Sequence, residues 1–269
     1  MRTKSLRQKT QEELKQIYAT EIITSKLKPL PHTDNKFKYE IFLPLLRKSI
    51  LYDNSPSKVL SGHYDNPRCP FVRFNIVNVN HSNKYKICIY VITRFKGYKG
   101  IIDRVIAGLN RVLHSIGYND FKIHNNEYLY DFGITKTSNY YNIHHYFPFN
   151  QENWSNYLFN INNYGKEEAY NKNKQLLQKC IISNLYGMGK GVQNGGYLSY
   201  NFKQKDKIDV DIYDDFVFRT GIYKPFTNDS CKFIVIPNLS IRTNVIIPIC
   251  IGLGRKVSQG SGQVSRIEL

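Results

Sequence analysis

The chain has 269 residues, enough for one large domain or two of ordinary size, each with its own core. Its 38 Lys+Arg against 21 Asp+Glu leave a net charge of +17, which points to a polyanionic partner and above all to nucleic-acid phosphates. No run approaches the ~20 apolar residues of a membrane helix, and the five cysteines form no C-x-x-C pair. The cysteine pattern argues against a zinc site and for buried free thiols in a reducing compartment.

In chain order, residues 1–16 read as a basic extension without the hydrophobic core of a secretory signal, so a cytoplasmic location is expected. Ile17 to Leu27 is a first strand. Phe37 to Leu51 mixes strand and helix signals, with Pro44 a helix start. Cys69 to Val79 and Lys84 to Thr93 are strands joined by a polar turn. Gly100 to Ile116 carries Ile102, Val105, Ile106, Leu109, Val112, Leu113 and Ile116 at helical spacing, and Gly117 stops that helix. Phe121 to Ile134 is a further strand. Strand, helix, two strands, helix, strand is the order of a β-α-β-β-α-β ferredoxin-like unit.

A second half is expected from Asn139, giving an N-terminal domain over 17–138 and a C-terminal one over 139–269. Glu152 to Tyr157 and Gly165 to Gly187 read as helical, with a glycine-rich break from Gly187 to Gly196. Strand-like runs follow at 198–202, 208–212, 216–223, 231–237 and 239–250. The fold class is therefore α+β, two tandem ferredoxin-like (RRM-like) domains closed by a glycine-rich segment. The 21 tyrosines and 15 phenylalanines can stack on bases or fill cores, and composition does not separate the two.

That closing segment reads I-G-L-G-R-K-V-S-Q-G-S-G-Q-V-S from Ile251 to Ser265. Gly252, Gly254, Gly260 and Gly262 let the backbone approach a partner, and Arg255, Lys256, Ser258 and Gln259 suit phosphate contacts. It has neither Walker nor dinucleotide-binding spacing, and a glycine-rich hairpin closing a sheet is the plain alternative. Lys190, in G-M-G-K-G after the expected helix, is a further phosphate candidate. Arg73, Phe74, Arg94, Phe95 and Lys96 form a third, weaker basic and aromatic region.

This segment resembles the signature loop of the RAMP superfamily of CRISPR-associated proteins. Three further blocks occur in order: Ser61 to Phe74 (S-G-H-Y-D-N-P-R-C-P-F-V-R-F), Phe147 to Tyr157 (F-P-F-N-Q-E-N-W-S-N-Y) and Cys180 to Val192 (C-I-I-S-N-L-Y-G-M-G-K-G-V). Together the four resemble the b-type Cas-six endoribonucleases, which cut CRISPR precursor transcripts within each repeat. The resemblance implies repeat RNA as partner, no cofactor and no metal. It leaves interference-complex subunits and a homodimer open as further partners. Two positions depart from the family pattern: Ser61 stands where a second histidine is frequent, and Ser261 where an aromatic residue is favoured.

Metal-independent RNA cleavage by 2′-hydroxyl attack needs a general base, a general acid and cations around the phosphorane. His63 titrates near neutrality, sits in a polar loop beside Arg68 and matches the family position, so it is the expected acid or base. Tyr64 is placed to orient or donate. The resemblance puts Arg47 and Lys48 near the phosphate, Lys58 is another cation in reach, and His32 is the second-choice histidine. His114, His144 and His145 read as structural or exposed. Asp206, Asp209, Asp211, Asp214 and Asp215 could in principle bind metals, but their alternation reads as a solvated strand face, and EDTA is not expected to inhibit. Two rivals remain: a non-catalytic RNA-binding RAMP subunit and a structural, ribosomal-type RNA-binding protein.

Overall fold

The computed structural model describes residues 15–27, 72–78, 85–93, 99–149, 151–194, 208–223, 231–254 and 262–267. Four strands make the first part: β1 (Lys15–Thr24), β2 (Val72–Asn78), β3 (Tyr85–Thr93) and β4 (Ile123–Tyr146), with helix α1 (Lys99–Ser115) between the last two. They lie side by side, all antiparallel, in the order β2-β3-β1-β4. Alternation along β1 separates two faces. Ile22 packs with Ile87, Ile89 and Val91 of β3 against Val105, Leu109, Val112 and Leu113 of α1. The opposite face, Ile17 and Ala19 with Cys88, Tyr90 and Ile92, joins the core of the second half.

The helix ends where its sequence says it should. Gly117 takes φ 95°, the Gly117 N–H bonds to the His114 carbonyl at 3.0 Å, and the Tyr118 N–H bonds to that of Leu113 at 3.0 Å. That pair of bonds is a Schellman cap, which a glycine makes without steric cost.

The expected boundary at 138/139 falls inside β4, which runs 24 residues where the sequence reading stopped near Ile134. Its first ten residues pair with β1 and the rest pair with β7 (Cys231–Ile246) across an irregularity between Ile134 and Asn139. Helices α2 (Gln151–Asn163) and α3 (Lys166–Asn194) follow, then β5 (Val210–Ile212), β6 (Arg219–Tyr223), β7 and β8 (Gln263–Arg266). The second sheet has the order β8-β4-β7-β5, with β6 on the other end of β7. Leu177, Ile181 and Leu185 of α3 pack on its inner face with Tyr141, Ile143, Ile241 and Val245.

Two further boundaries differ from expectation. The runs 231–237 and 239–250 are one strand, although Pro237 has no N–H to give a ladder. Pro237 is tolerated because the β4 register skips it: Ile236 and Asn238 stand opposite Tyr146 and His144, whereas Pro237 and His145 are not paired. The break expected at Gly187 is helix: α3 continues through Gly187, Gly189 and Gly191 to Asn194. Burial of Leu185 and Met188 outweighs the weak helix propensity of those glycines, a cost of roughly 1 kcal/mol each.

Inside this core the Tyr141 hydroxyl accepts the Ile247 N–H at 3.0 Å where β7 ends. Tyr141→Phe leaves that buried N–H without its acceptor, which should cost about 1–3 kcal/mol. Urea denaturation checks it: the midpoint should fall while the slope stays unchanged.

Candidate nucleic-acid interface

The glycine segment leaves β7 through a turn in which the Ile251 N–H bonds to the Pro248 carbonyl at 3.1 Å. Cys250, Ile251 and Leu253 are buried in the main core, so the first part of the segment is core rather than surface loop. The ends of the following stretch are then tied together. The Leu253 N–H bonds to the Gly262 carbonyl at 2.8 Å, and the Gly262 N–H bonds to the His145 carbonyl at 3.1 Å. Residues 255–261, lying between these ties, are outside the described residues.

The glycines are there because their neighbours come close. Gly252 has φ 72°, and a methyl on it would meet the Arg73 guanidinium carbon at 2.6 Å. Gly262 has φ 64°, and a methyl there would overlap the Leu253 carbonyl. Gly254 lies against the Tyr146 ring in the same way. Close packing inside the protein thus accounts for three of the four glycines, the plain alternative for these positions. It also fixes the two described ends of the segment, Gly252 to Gly254 and Gly262, which together form its base.

Arg73 reaches this base from the first sheet. It is 1% exposed, and its Nη1 donates to the Ile249 carbonyl at 2.6 Å. Its place as an RNA contact is therefore corrected: a guanidinium enclosed by the core cannot reach a phosphate. Across the sheet it stands opposite Tyr90, which in turn faces Glu21. The Glu21 carboxylate accepts from the Tyr90 hydroxyl at 3.1 Å and from the Cys88 thiol at 3.4 Å. Burial first, then the nearby Glu21 charge, pushes the Cys88 thiol up to about 12. It stays a neutral thiol at physiological pH, in keeping with an inert buried cysteine. Cys180 and Cys250 are also buried thiols.

On the other side, β4 holds the segment through His145 and Tyr146. His145 has φ 50°, a conformation that costs a residue with a Cβ about 1–2 kcal/mol. It breaks the strand's alternation, so that Ile143 and Tyr146 both enter the core. The Tyr146 hydroxyl accepts from Asn184 Nδ2 of α3 at 3.1 Å, which orients the ring beneath Gly254. Partial burial, and after it the neighbouring His144, lower the pKa of His145. His144 is engaged on both ring nitrogens, by Asn238 Oδ1 at 2.7 Å and Ser265 Oγ at 3.2 Å. It has the structural part the sequence suggested, as does His114, whose Nδ1 lies 3.3 Å from Asn119 Oδ1.

His32, Arg47, Lys48, Lys58, His63 and Tyr64 lie outside the described residues, as do Arg255, Lys256, Ser258, Gln259 and Gly260. Lys190 is described only as part of α3; it stands within the helix and not in a loop after it. In the acidic run, Asp211 pairs with Arg242 at 3.4 Å, Asp215 accepts from the Tyr170 hydroxyl at 3.4 Å, and Asp209 and Asp214 are exposed. Among the described residues no helix is long and apolar enough to cross a membrane. What the sequence reading missed is the part of Arg73, Tyr146 and Asn184 in seating the glycine segment. The Ser61 to Phe74 block contains Arg73 and the Cys180 to Val192 block contains Asn184, but neither gave a sign of these contacts or of the 176-residue separation between Arg73 and its acceptor.

No family model matches the chain. The uncharacterized protein MJ0978 of Methanocaldococcus jannaschii is 30% identical over 170 residues, covering 63% of this chain and 90% of that protein. Among solved structures, a Cas6b aligns at TM-score 0.57 and 18% identity, covering 93% of this chain and all of that one. The CRISPR RNA processing endoribonuclease Cas6b aligns at 0.52 and 18% identity with the same coverage. A type IV Cas6 crRNA endonuclease, Csf5, aligns at 0.52 and 11% identity, again over 93% of this chain. At such identities the likeness is one of fold, and the fold is Cas6-like α+β with an antiparallel sheet.

Proposed function

We propose a function for a chain that belongs to the family of the Methanocaldococcus jannaschii protein and has the Cas6 fold: it is a metal-independent endoribonuclease that cuts CRISPR precursor transcripts within their repeats. The observation that carries this reading is the end-to-end match in fold to CRISPR RNA processing endoribonucleases, 93% of this chain against the whole of theirs. The ordered sequence blocks and the charge of +17 support it independently.

The fold is read as two ferredoxin-like units sharing β4. The order β2-β3-β1-β4 supports the first, and β8-β4-β7-β5 supports the second. In the second unit the glycine segment stands where another helix would precede the last strand. Arg255 and Lys256, in the sequence between the ties at Leu253 and Gly262, are the cations assigned to the RNA backbone. Phosphate contacts of this kind fix register and make affinity fall as salt rises.

For the chemistry, His63 takes or gives the proton of the 2′-hydroxyl or the leaving 5′-oxygen. Arg47 and Lys48 stabilise charge on the phosphorane, Tyr64 orients, and His32 is the alternative histidine. The products are a 2′,3′-cyclic phosphate and a 5′-hydroxyl.

The test is to incubate the purified protein in EDTA with end-labelled repeat RNA from its own locus. The expected result is a single cut with cyclic-phosphate ends, at a rate EDTA does not change. Tight binding with no cut would favour the non-catalytic RAMP reading, for which the serine at position 61 is the specific observation. Absence of both binding and cleavage would sink the proposal.

A further inference from the structure

We infer that Arg73 is a positioning residue for RNA binding: its buried guanidinium fixes Ile249 and Gly252, where the glycine segment opens. The inference rests on the function proposed above and adds to it a residue that itself touches no RNA.

Three observations converge on it. Arg73 is fully enclosed, and burying a guanidinium is costly unless its hydrogen bonds are made inside. Its Nη1 bonds at 2.6 Å to the carbonyl of Ile249, in the turn that opens the segment and 176 residues further along the chain. The segment is shaped around it: at Gly252 any side chain would press on the guanidinium, with Cζ, Nη1 and Nη2 all within 2.9 Å of an added methyl. A surface cation would need no such recess.

The consequence is mechanical. Ile249 and Gly252 are seated on β2 through Arg73, while Gly254 and Gly262 are seated on β4 through Tyr146 and His145. The first sheet thereby sets one side of the segment's base and the second sheet sets the other. Planar geometry matters here, because a guanidinium offers a flat face to Gly252 and an in-plane donor to Ile249 together. A lysine can donate to the carbonyl but offers no such face.

The experiment compares wild type, Arg73→Met and Arg73→Lys by amide hydrogen exchange and by equilibrium binding to repeat RNA, with single-turnover cleavage at saturating RNA. In Arg73→Met the Leu253 and Gly262 amides, whose bonds close the base, should exchange about tenfold faster or more than in wild type, as loss of a charge-assisted bond implies. RNA affinity should fall with them, while the saturated cleavage rate holds. Arg73→Lys should recover part of both losses.

Unchanged exchange at Leu253 and Gly262 would overturn the inference. So would faster exchange with unaltered RNA affinity, or an affinity loss without faster exchange. Should Arg73→Met not fold, Gly252→Ala disturbs the same contact from the segment's side and gives the same paired readings. If wild type itself fails to bind repeat RNA, the proposed function falls, while the exchange arm still reports whether Arg73 holds the segment.

Discussion

Replacing His63 by alanine should lower single-turnover cleavage of repeat RNA by roughly 10²–10⁴-fold, the usual contribution of a positioned acid or base. Affinity for the RNA should stay near that of wild type, because a proton-transfer group acts in the transition state more than in the ground state. Measuring the two separately gives the result its meaning. A loss confined to the rate places His63 at the reacting atoms. A loss confined to affinity makes it a binding residue and moves the chemistry to His32, whose alanine variant is the matching control. An unchanged rate in both variants would remove the proton-transfer assignment from either histidine. The serine at position 61 sharpens this test. His63 is the one histidine between Ser61 and Phe74, so no imidazole beside it in the sequence can mask the loss.

The second large effect is expected at Gly262. An alanine there must hold a left-handed conformation, at a cost of about 1–3 kcal/mol, and its methyl would overlap the Leu253 carbonyl. The clash cannot be relieved by turning a side chain, because the obstacle is backbone. Leu253 has to move, and its own N–H is bonded to Gly262, so both ties at the base of the segment loosen together. We expect a lower melting temperature and a loss of RNA affinity in the same variant. Gly187→Ala is the contrast. That glycine lies inside α3 with nothing within 4 Å of an added methyl, and the change should raise stability by roughly 0.5–1 kcal/mol. Thermal unfolding of the two variants side by side checks both directions. A harmless Gly262→Ala would mean that the segment's base adapts freely.

Much of the fold was legible where local signals and burial agree. The apolar spacing of 102–113 located α1 to within a residue at each end, and Gly117 marked its cap. Strands β1, β2 and β3 followed from short apolar runs bounded by turns. The reading failed where a distant partner overrides the local signal. Thr135 to Ser138 look like a polar turn, yet pairing with β7 on either side carries β4 through them. The Thr135 hydroxyl there bonds the carbonyls of Thr137 and Asn244, which supports the irregular stretch. Gly187 and Pro237 were taken as breaks by the same local logic. Burial of Met188 in one case, and pairing with β4 on either side of Pro237 in the other, decided against it. At the candidate site, glycine spacing announced an unusual backbone but not its cause. Arg73 and the adjacent pair His145 and Tyr146 come from two distant places in the chain, and their meeting is written in the strand order rather than in any motif.

The uninterrupted run of β4 through both sheets bears on how the molecule can come apart. A strand whose first ten residues complete one sheet, and whose remainder centres the next, carries the chain from one half to the other without leaving strand structure. Severing the chain at 138/139 would leave nearly all strand pairs within one fragment or the other, but it would divide the core that Ile17, Ala19, Tyr90 and Phe132 share with Tyr141, Leu177 and Ile241. That shared core predicts a single cooperative unfolding transition, in which loosening either half is felt by both.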